Sequence, residues 1–313
     1  MKDIAAIGAS TIELLTHAAL DAELVTTQVQ RALDEDLLYG PDVTTSSTVP
    51  TGQSVTAAFV SRKGGVVSGL PVVAVALDLV VGPDNWRVSH MMTDADALAP
   101  GDEALTIEAP TVALLTAERT ALNFLCHLSG VATLTAKWVS AVAGTGVRVR
   151  DTRKTTPGMR VLEKYAVRCG GGMNHRMGLG DAALVKDNHV VAAGGVAAAV
   201  HAVRAAAPSI SLEVECDSLT QVQQAVAADV ELVLLDNMSV NELSEVVQWV
   251  RATAPQTKLE ASGGLTLDTV AAVAGTGVDY VAVGALTHSA PTLDIGLDVR
   301  AVLGDVETGV SGV

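Results

Sequence analysis

The sequence predicts an α/β barrel of parallel strands preceded by a smaller α+β domain, and three observations carry this reading. First, six short apolar runs alternate with helical stretches after Gly144: VRVRD (Val147 to Asp151), AALVKDN (Ala182 to Asn188), ISLEVEC (Ile210 to Cys216), ELVLLDN (Glu231 to Asn237), TKLEASGG (Thr257 to Gly264) and DYVAVG (Asp279 to Gly284). Strict βα alternation implies a parallel sheet covered by helices, and such units close readily into a barrel. A doubly wound open sheet is the alternative, but no G-x-G-x-x-G follows the first run. Second, 49% of the residues are hydrophobic and only 3% aromatic, so the core is packed with Ala, Val, Leu and Ile, as buried parallel strands are. Third, 313 residues exceed the roughly 100 to 200 expected of one domain, leaving room for a second unit.

Taken in order, the N-terminal MKDIAAIGASTIELLTHAAL reads as an amphipathic helix. Asp3 and Glu13 interrupt its apolar residues, which argues against a leader peptide or membrane anchor. Alternation in Ser54 to Gly69, with the pair Gly64-Gly65 as a turn, reads as strands. From Thr111 a long helical pattern passes through Gly130 and stops at Gly144, bridging two domains. The last residues, from about Arg300 to Val313, carry little pattern and read as a loosely held tail.

A net charge of −15 argues against nucleic acid or an anionic membrane as a partner. Cys126, Cys169 and Cys216 are widely spaced, with no C-x-x-C, and predict neither a disulfide framework nor a zinc site. A cytoplasmic location fits them.

Catalytic groups of a parallel barrel sit at the C-terminal ends of its strands. Here those ends carry Asp151 with Arg153 and Lys154; Lys186 to His189; Glu215 and Asp217; Asp236 and Asn237; Ser262 to Gly264; and Gly284. One Asp or Asn there is usually a turn or a helix cap. Six loaded ends in succession point to one shared site. Between Arg148 and Lys186 nine basic residues face three acids, so a strongly acidic chain carries one basic segment that needs a local anion. Arg160, Lys164 and Arg168 have helical spacing beside Glu163 and read as a solvated face. Arg153, Lys154 and Lys186 follow apolar runs directly, and burial there calls for a paired anion. The glycine-rich GGGMNHRMGLGD (Gly170 to Asp181) adds His175 and Arg176, whose guanidinium matches a carboxylate in bidentate fashion. Glu215 and Asp236 read either as Mg²⁺ ligands facing a polyphosphate or as ion-pair partners of Lys186 and Lys154. Ser262-Gly263-Gly264 and Gly284 read as a phosphate cradle.

Together, D-T-R-K-T-T-P-G (Asp151 to Gly158), G-G-G-M-N-H-R (Gly170 to Arg176), L-V-K-D-N-H (Leu184 to His189), E-V-E (Glu213 to Glu215), L-L-D-N (Leu234 to Asn237), S-G-G (Ser262 to Gly264) and Y-V-A-V-G-A-L-T-H-S (Tyr280 to Ser289) resemble the quinolinate phosphoribosyltransferase family, from about Ala32 to about Asp298. The resemblance implies an N-terminal α/β sandwich domain, residues 1–129 with 290–313 packing back on it. It implies an incomplete, open α/β barrel of about six parallel strands over 130–289, in a homodimer or a higher assembly. It further implies phosphoribosyl transfer from phosphoribosyl pyrophosphate to quinolinate with decarboxylation, a step of NAD biosynthesis, with Mg²⁺ as cofactor.

Carried over by motif, Arg153, His175 and Arg176 would clamp the quinolinate carboxylates, joined by Arg119 (in E-R-T-A-L-N) from the neighbouring subunit. Lys154 and Lys186 would hold the pyrophosphoryl side and, with Glu215 and Asp236, form the catalytic set. Glu215 and Asp236 would also face Mg²⁺, directly or through water. Ser262, Gly263, Gly264 and Gly284 would seat the 5′-phosphate beside Lys154 and Lys186. The competing readings are a relative acting on another pyridine carboxylate, a non-catalytic barrel that binds anionic metabolites, and Schiff-base chemistry on Lys186.

Overall fold

Asp21 opens the first long helix by accepting a hydrogen bond from the Leu24 amide. In the computed structural model, which describes residues 7–303, the predicted N-terminal helix is present as α1 (Ala9–His17), and a second helix, α2 (Ala22–Asp36), follows it. Ala19 between them has φ +52°, which no helix continues through. Leu15, Val25, Val29 and Leu33 bury their shared apolar side. The residues before Ile7 that were included in the predicted helix lie outside the described ones.

There follow α3 (Val43–Thr48), β1 (Ser54–Ser61), β2 (Gly65–Val66), α4 (Leu70–Val81), β3 (Arg87–Met91), β4 (Ala97–Leu98), β5 (Glu103–Pro110) and α5 (Thr111–Ala141). Helix α4 is apolar almost all round and is buried accordingly.

The second half alternates as predicted. It runs β6 (Arg148–Arg150), α6 (Arg160–Cys169), β7 (Ala183–Val185), α7 (Asp187–Ala193), α8 (Val196–Ala206), β8 (Leu212–Cys216), α9 (Leu219–Ala227), β9 (Leu232–Asp236), α10 (Val240–Thr253), β10 (Lys258–Ser262), α11 (Leu267–Ala274), β11 (Tyr280–Ala282) and α12 (Ala285–His288). Its six strands form one parallel sheet in the order β6-β11-β10-β9-β8-β7. Among the described residues the two edge strands β6 and β7 do not pair with each other, so the barrel is open; beyond its ladder with β11, β6 has a single bridge from Arg150 to Met173. Successive side chains of a strand point to opposite faces. Val149, Val214, Val233, Leu235, Leu259, Ala261 and Val281 are fully or almost fully buried, while the residues between them turn to the other face.

The last strand, β12 (Ile295–Leu303), returns to the first half and pairs antiparallel with β1, from Ser54↔Leu303 to Ser61↔Ile295. The four-stranded sheet is ordered β12-β1-β5-β3. The predicted loose tail is therefore corrected over Arg300 to Leu303, where ladder hydrogen bonds hold the backbone; the rest of it lies outside the described residues. The chain divides into two compact units, Leu134–Ala290 and the described residues on either side of it. Among the described residues no single helix is long and apolar enough to cross a membrane.

Gly130 lies inside α5, where alanine ordinarily stabilises a helix by about 1 kcal/mol. A Cβ there would stand 2.2 Å from the Pro291 carbonyl oxygen, which is backbone and cannot rotate away. Overpacking of this kind costs about 1–3 kcal/mol, so Gly130→Ala is expected to lower the denaturation midpoint in urea. An unchanged or raised midpoint contradicts the close packing of Gly130 on Pro291.

Candidate active site

The inward residues of the parallel sheet converge on a cavity of about 310 Å³. Thr152, Arg153 and Lys154 follow β6; His175 and Arg176 come from the loop after α6; Leu184 and Lys186 come from the end of β7. Glu215, Leu234, Asp236, Glu260, Ser262 and Ala282 complete the wall from β8 to β11. The register sets Asp236 beside Ser262 and Ser262 beside Ala282, so neighbouring strands end level with one another. Of the predicted residues, Arg153, Lys154, His175, Arg176, Lys186, Glu215, Asp236 and Ser262 thus share one space. Gly263, Gly264 and Gly284 are not on the cavity wall. Arg119 is exposed on α5, in the unit that does not hold the cavity.

Two buried charges fix the loop that carries His175 and Arg176. Asp151 and Lys164 are both fully buried and form an ion pair. Lys164 Nζ also donates to the His175 carbonyl at 2.9 Å, while Asp151 accepts from the His175 amide at 2.8 Å and from Asn174 Nδ2 at 2.6 Å. Burial pushes the Asp151 carboxyl up and the Lys164 ammonium down, and their mutual attraction opposes both shifts. The predicted solvated face of α6 is therefore corrected at Lys164, whereas Arg168 is exposed as predicted. Lys164 is interior, and Glu163 is interior too, accepting from the Thr156 amide at 3.0 Å. Arg160 braces the loops through the Thr155 hydroxyl and the carbonyls of Met177 and Arg153; Arg168 reaches Asn174 Oδ1 at 3.0 Å.

His175 has both ring nitrogens engaged. Nδ1 accepts from the Arg176 amide at 2.7 Å, which leaves the imidazole proton on Nε2, 2.8 Å from Glu213 Oε2 and 3.5 Å from Glu260 Oε1. Burial pushes the imidazole down to about 4, so it is neutral at pH 7. Burial likewise pushes Glu213 and Glu260 up to about 7, although Arg150 sits against Glu260 Oε2 at 2.5 Å. Sequence reasoning singled out neither Glu213 nor Glu260 as a site residue. The available signal was period two: Glu213 shares a face with Glu215, and Glu260 with Ser262.

Lys186 and Glu215 form an ion pair, one of the two arrangements the sequence left open for Glu215. Asp236 accepts from Asn237 Nδ2 at 2.7 Å. Gly263 and Gly264 both have positive φ, +87° and +59°. A Cβ on Gly263 would lie 2.2 Å from Asn237 Oδ1, so only glycine lets the β10 loop pass that close to the end of β9. Gly284 packs against Lys154, with a notional Cβ 3.0 Å from Lys154 Cδ.

An open parallel barrel with basic side chains gathered at its strand ends defines an enzyme that handles a small anion. Residues 42–129 match the domain family described as "Quinolinate phosphoribosyl transferase, N-terminal domain", and residues 131–298 match its C-terminal domain. The chain is 54% identical to the nicotinate-nucleotide pyrophosphorylase [carboxylating] of Mycobacterium leprae over 91% of this chain and 100% of that one. It is 42% identical to the human protein of that name over 78% and 82%. The crystal structure of NadC from Streptococcus pyogenes superposes with a TM-score of 0.85 at 38% identity, covering 91% of this chain and 99% of that one. The chain belongs to the quinolinate phosphoribosyl transferase family.

The raised Glu260 carboxyl has a consequence for stability. Between its ordinary 4.5 and about 7 the folded chain holds a proton that the unfolded chain does not. Its contribution is therefore complete below 4.5 and lost as pH rises through 7. Glutamine carries no such dependence. The melting temperature of Glu260→Gln minus that of the native protein should increase between about pH 5 and about pH 8. A constant difference contradicts a protonated Glu260.

Proposed function

We infer that the chain transfers phosphoribose from phosphoribosyl pyrophosphate to the ring nitrogen of quinolinate, releasing pyrophosphate and carbon dioxide and giving nicotinate mononucleotide. It is then a pentosyltransferase of NAD biosynthesis. The observation that carries this reading is the cavity itself, where Arg153, Lys154, Arg176 and Lys186 surround one space in a chain of net charge −15. A pyridine with two carboxylates and a polyphosphate supply anions for Arg153, Lys154 and Arg176 and a further partner for Lys186, which already pairs with Glu215.

Arg153 and Arg176 bind the two carboxylates of the ring. His175, with both nitrogens occupied, offers its ring surface and holds the Arg176 amide. Lys154 and Lys186 bind the pyrophosphoryl group, and the turn Ser262-Gly263-Gly264, with Gly284 behind Lys154, seats the 5′-phosphate. Breaking the bond from ribose C1′ to pyrophosphate builds negative charge on the leaving group, and fixed cations aimed at it lower the barrier. Glu215 and Asp236 face the ribose, where positive charge develops. Their carboxylate oxygens suit a hard divalent cation, which takes one or two carboxylates together with phosphate oxygens. Mg²⁺ held there would neutralise charge on the pyrophosphate. Arg119 serves the cavity of a second copy in a homodimer. Three free cysteines suit a reducing cytoplasm.

Purified protein given phosphoribosyl pyrophosphate and Mg²⁺ should release pyrophosphate and carbon dioxide in equal amounts with quinolinate and neither with nicotinate. Equal turnover of nicotinate contradicts the assignment and favours an acceptor with one carboxylate. Arg119→Ala and His175→Ala should each lose at least about 100-fold in kcat/KM. Mixed dimers of the two variants should regain part of the activity, because one cavity then has both groups. No recovery in verified mixed dimers removes Arg119 from the partner's site.

A further inference from the structure

Glu260 stands where the reaction above has given it no task. It is fully buried on β10, yet it borders the cavity. Its surroundings assign its protons. Arg150 Nη1, from β6, donates to Oε2 at 2.5 Å. The Nε2 proton of His175 goes to Glu213 Oε2, the nearer of the two carboxylates. Among the described residues neither Glu260 Oε1 nor Glu213 Oε1 has a hydrogen-bond partner, and of the two carboxyls Glu260 is the one that borders the cavity. A buried carboxylate oxygen with no donor is costly, and with Glu213 of β8 close by the two carboxyls disfavour being ionised together. The form that relieves both is a carboxylic acid with its proton on Oε1.

The proposed reaction consumes one such proton. When the ring nitrogen has bonded to C1′ and pyrophosphate has left with the C1′–O electron pair, the ring is a pyridinium. The bond from the ring to the adjacent carboxylate then breaks, carbon dioxide leaves, and its bonding pair stays on the ring carbon beside the cationic nitrogen. That carbon must gain a proton to become nicotinate mononucleotide.

We propose that Glu260 is the catalytic acid of this step, its Oε1–H supplying the proton that replaces the departing carboxylate, a role that rests on the phosphoribosyl transfer inferred above. The new C–H bond forms as the O–H bond breaks, and the Glu260 carboxylate that remains is stabilised by Arg150 on its other oxygen. Water returns the proton after product leaves. A carboxyl raised to about 7 keeps a large protonated fraction near neutral pH, as a general acid working there needs.

The test is a single turnover of native protein, Glu260→Gln and Glu260→Asp with quinolinate, phosphoribosyl pyrophosphate and Mg²⁺, quenched in acid and assayed for pyrophosphate, N-ribosylated dicarboxylate and nicotinate mononucleotide. Glu260→Gln keeps an oxygen for Arg150 but has no acidic proton. It should release pyrophosphate within about threefold of the native rate yet form product about 100-fold more slowly, while the dicarboxylate nucleotide accumulates because the unprotonated ring carbon recaptures carbon dioxide. Glu260→Asp keeps an acid but withdraws it by one methylene, so it should slow the same second step by about tenfold. It decides the matter alone if the glutamine variant does not fold. Product at the native rate in either folded variant, or equal slowing of both steps, overturns the role of Glu260. Native protein that releases no pyrophosphate with quinolinate overturns the reaction itself, an outcome read without any variant.

Discussion

The buried ion pair between Lys164 and Asp151 is the interaction on which the rest of the cavity depends. A loop that presents Arg176 opposite Arg153 brings like charges together, and repulsion alone would spread it. The pair resists this through the backbone. Asp151 takes the His175 amide, Lys164 takes the His175 carbonyl, and Asn174 spans Asp151 and the Lys164 carbonyl. Two buried charges of this kind add little net stability, because desolvation offsets most of their attraction. Their effect is to allow one loop geometry, since any displacement leaves a charge or a peptide group unpaired in the interior.

From that anchor the charge pattern runs in layers. Arg153, Lys154, Arg176 and Lys186 face the cavity as its cations. Behind them Glu213 and Glu260 flank His175, with Arg150 against the second. Burial favours the uncharged form of both carboxyls, and the neutral imidazole accepts from the Arg176 amide. Glu215, Asp236 and Glu260 share the cavity wall with these four cations, so the pocket is basic without being free of carboxyl groups.

Much of the fold was legible because it rests on periodicity. All six apolar runs between Val147 and Gly284 became strands of one sheet, and the helix from Thr111 runs past Gly130 as its spacing predicts. The misread elements share a physical reason: local spacing does not say what a residue meets across the fold. Arg160, Lys164 and Arg168 beside Glu163 have the pattern of a solvated helix face, yet Lys164 lies against a strand end thirteen residues earlier. Arg300 to Leu303 looks patternless until β1 is set beside it. Glu213 and Glu260 sit inside apolar runs, where a carboxyl is unexpected unless partners from β6 and the His175 loop are known. Arg119 was an ordinary helix residue in its own right, and only the resemblance to a family gave it a role.

The claim that the Lys164–Asp151 pair sets the binding geometry is tested most directly by calorimetric binding of quinolinate to Lys164→Met, Asp151→Asn and the double variant, with the stability of each measured alongside. Either single variant leaves one buried charge unpaired and should lose about 3–5 kcal/mol of stability, whereas the double variant should recover much of it. Quinolinate affinity should stay at least about tenfold below native in the double variant, because the His175 carbonyl and amide have lost the charges that held them. Native affinity in a stable double variant contradicts the account and reduces the pair to a packing element.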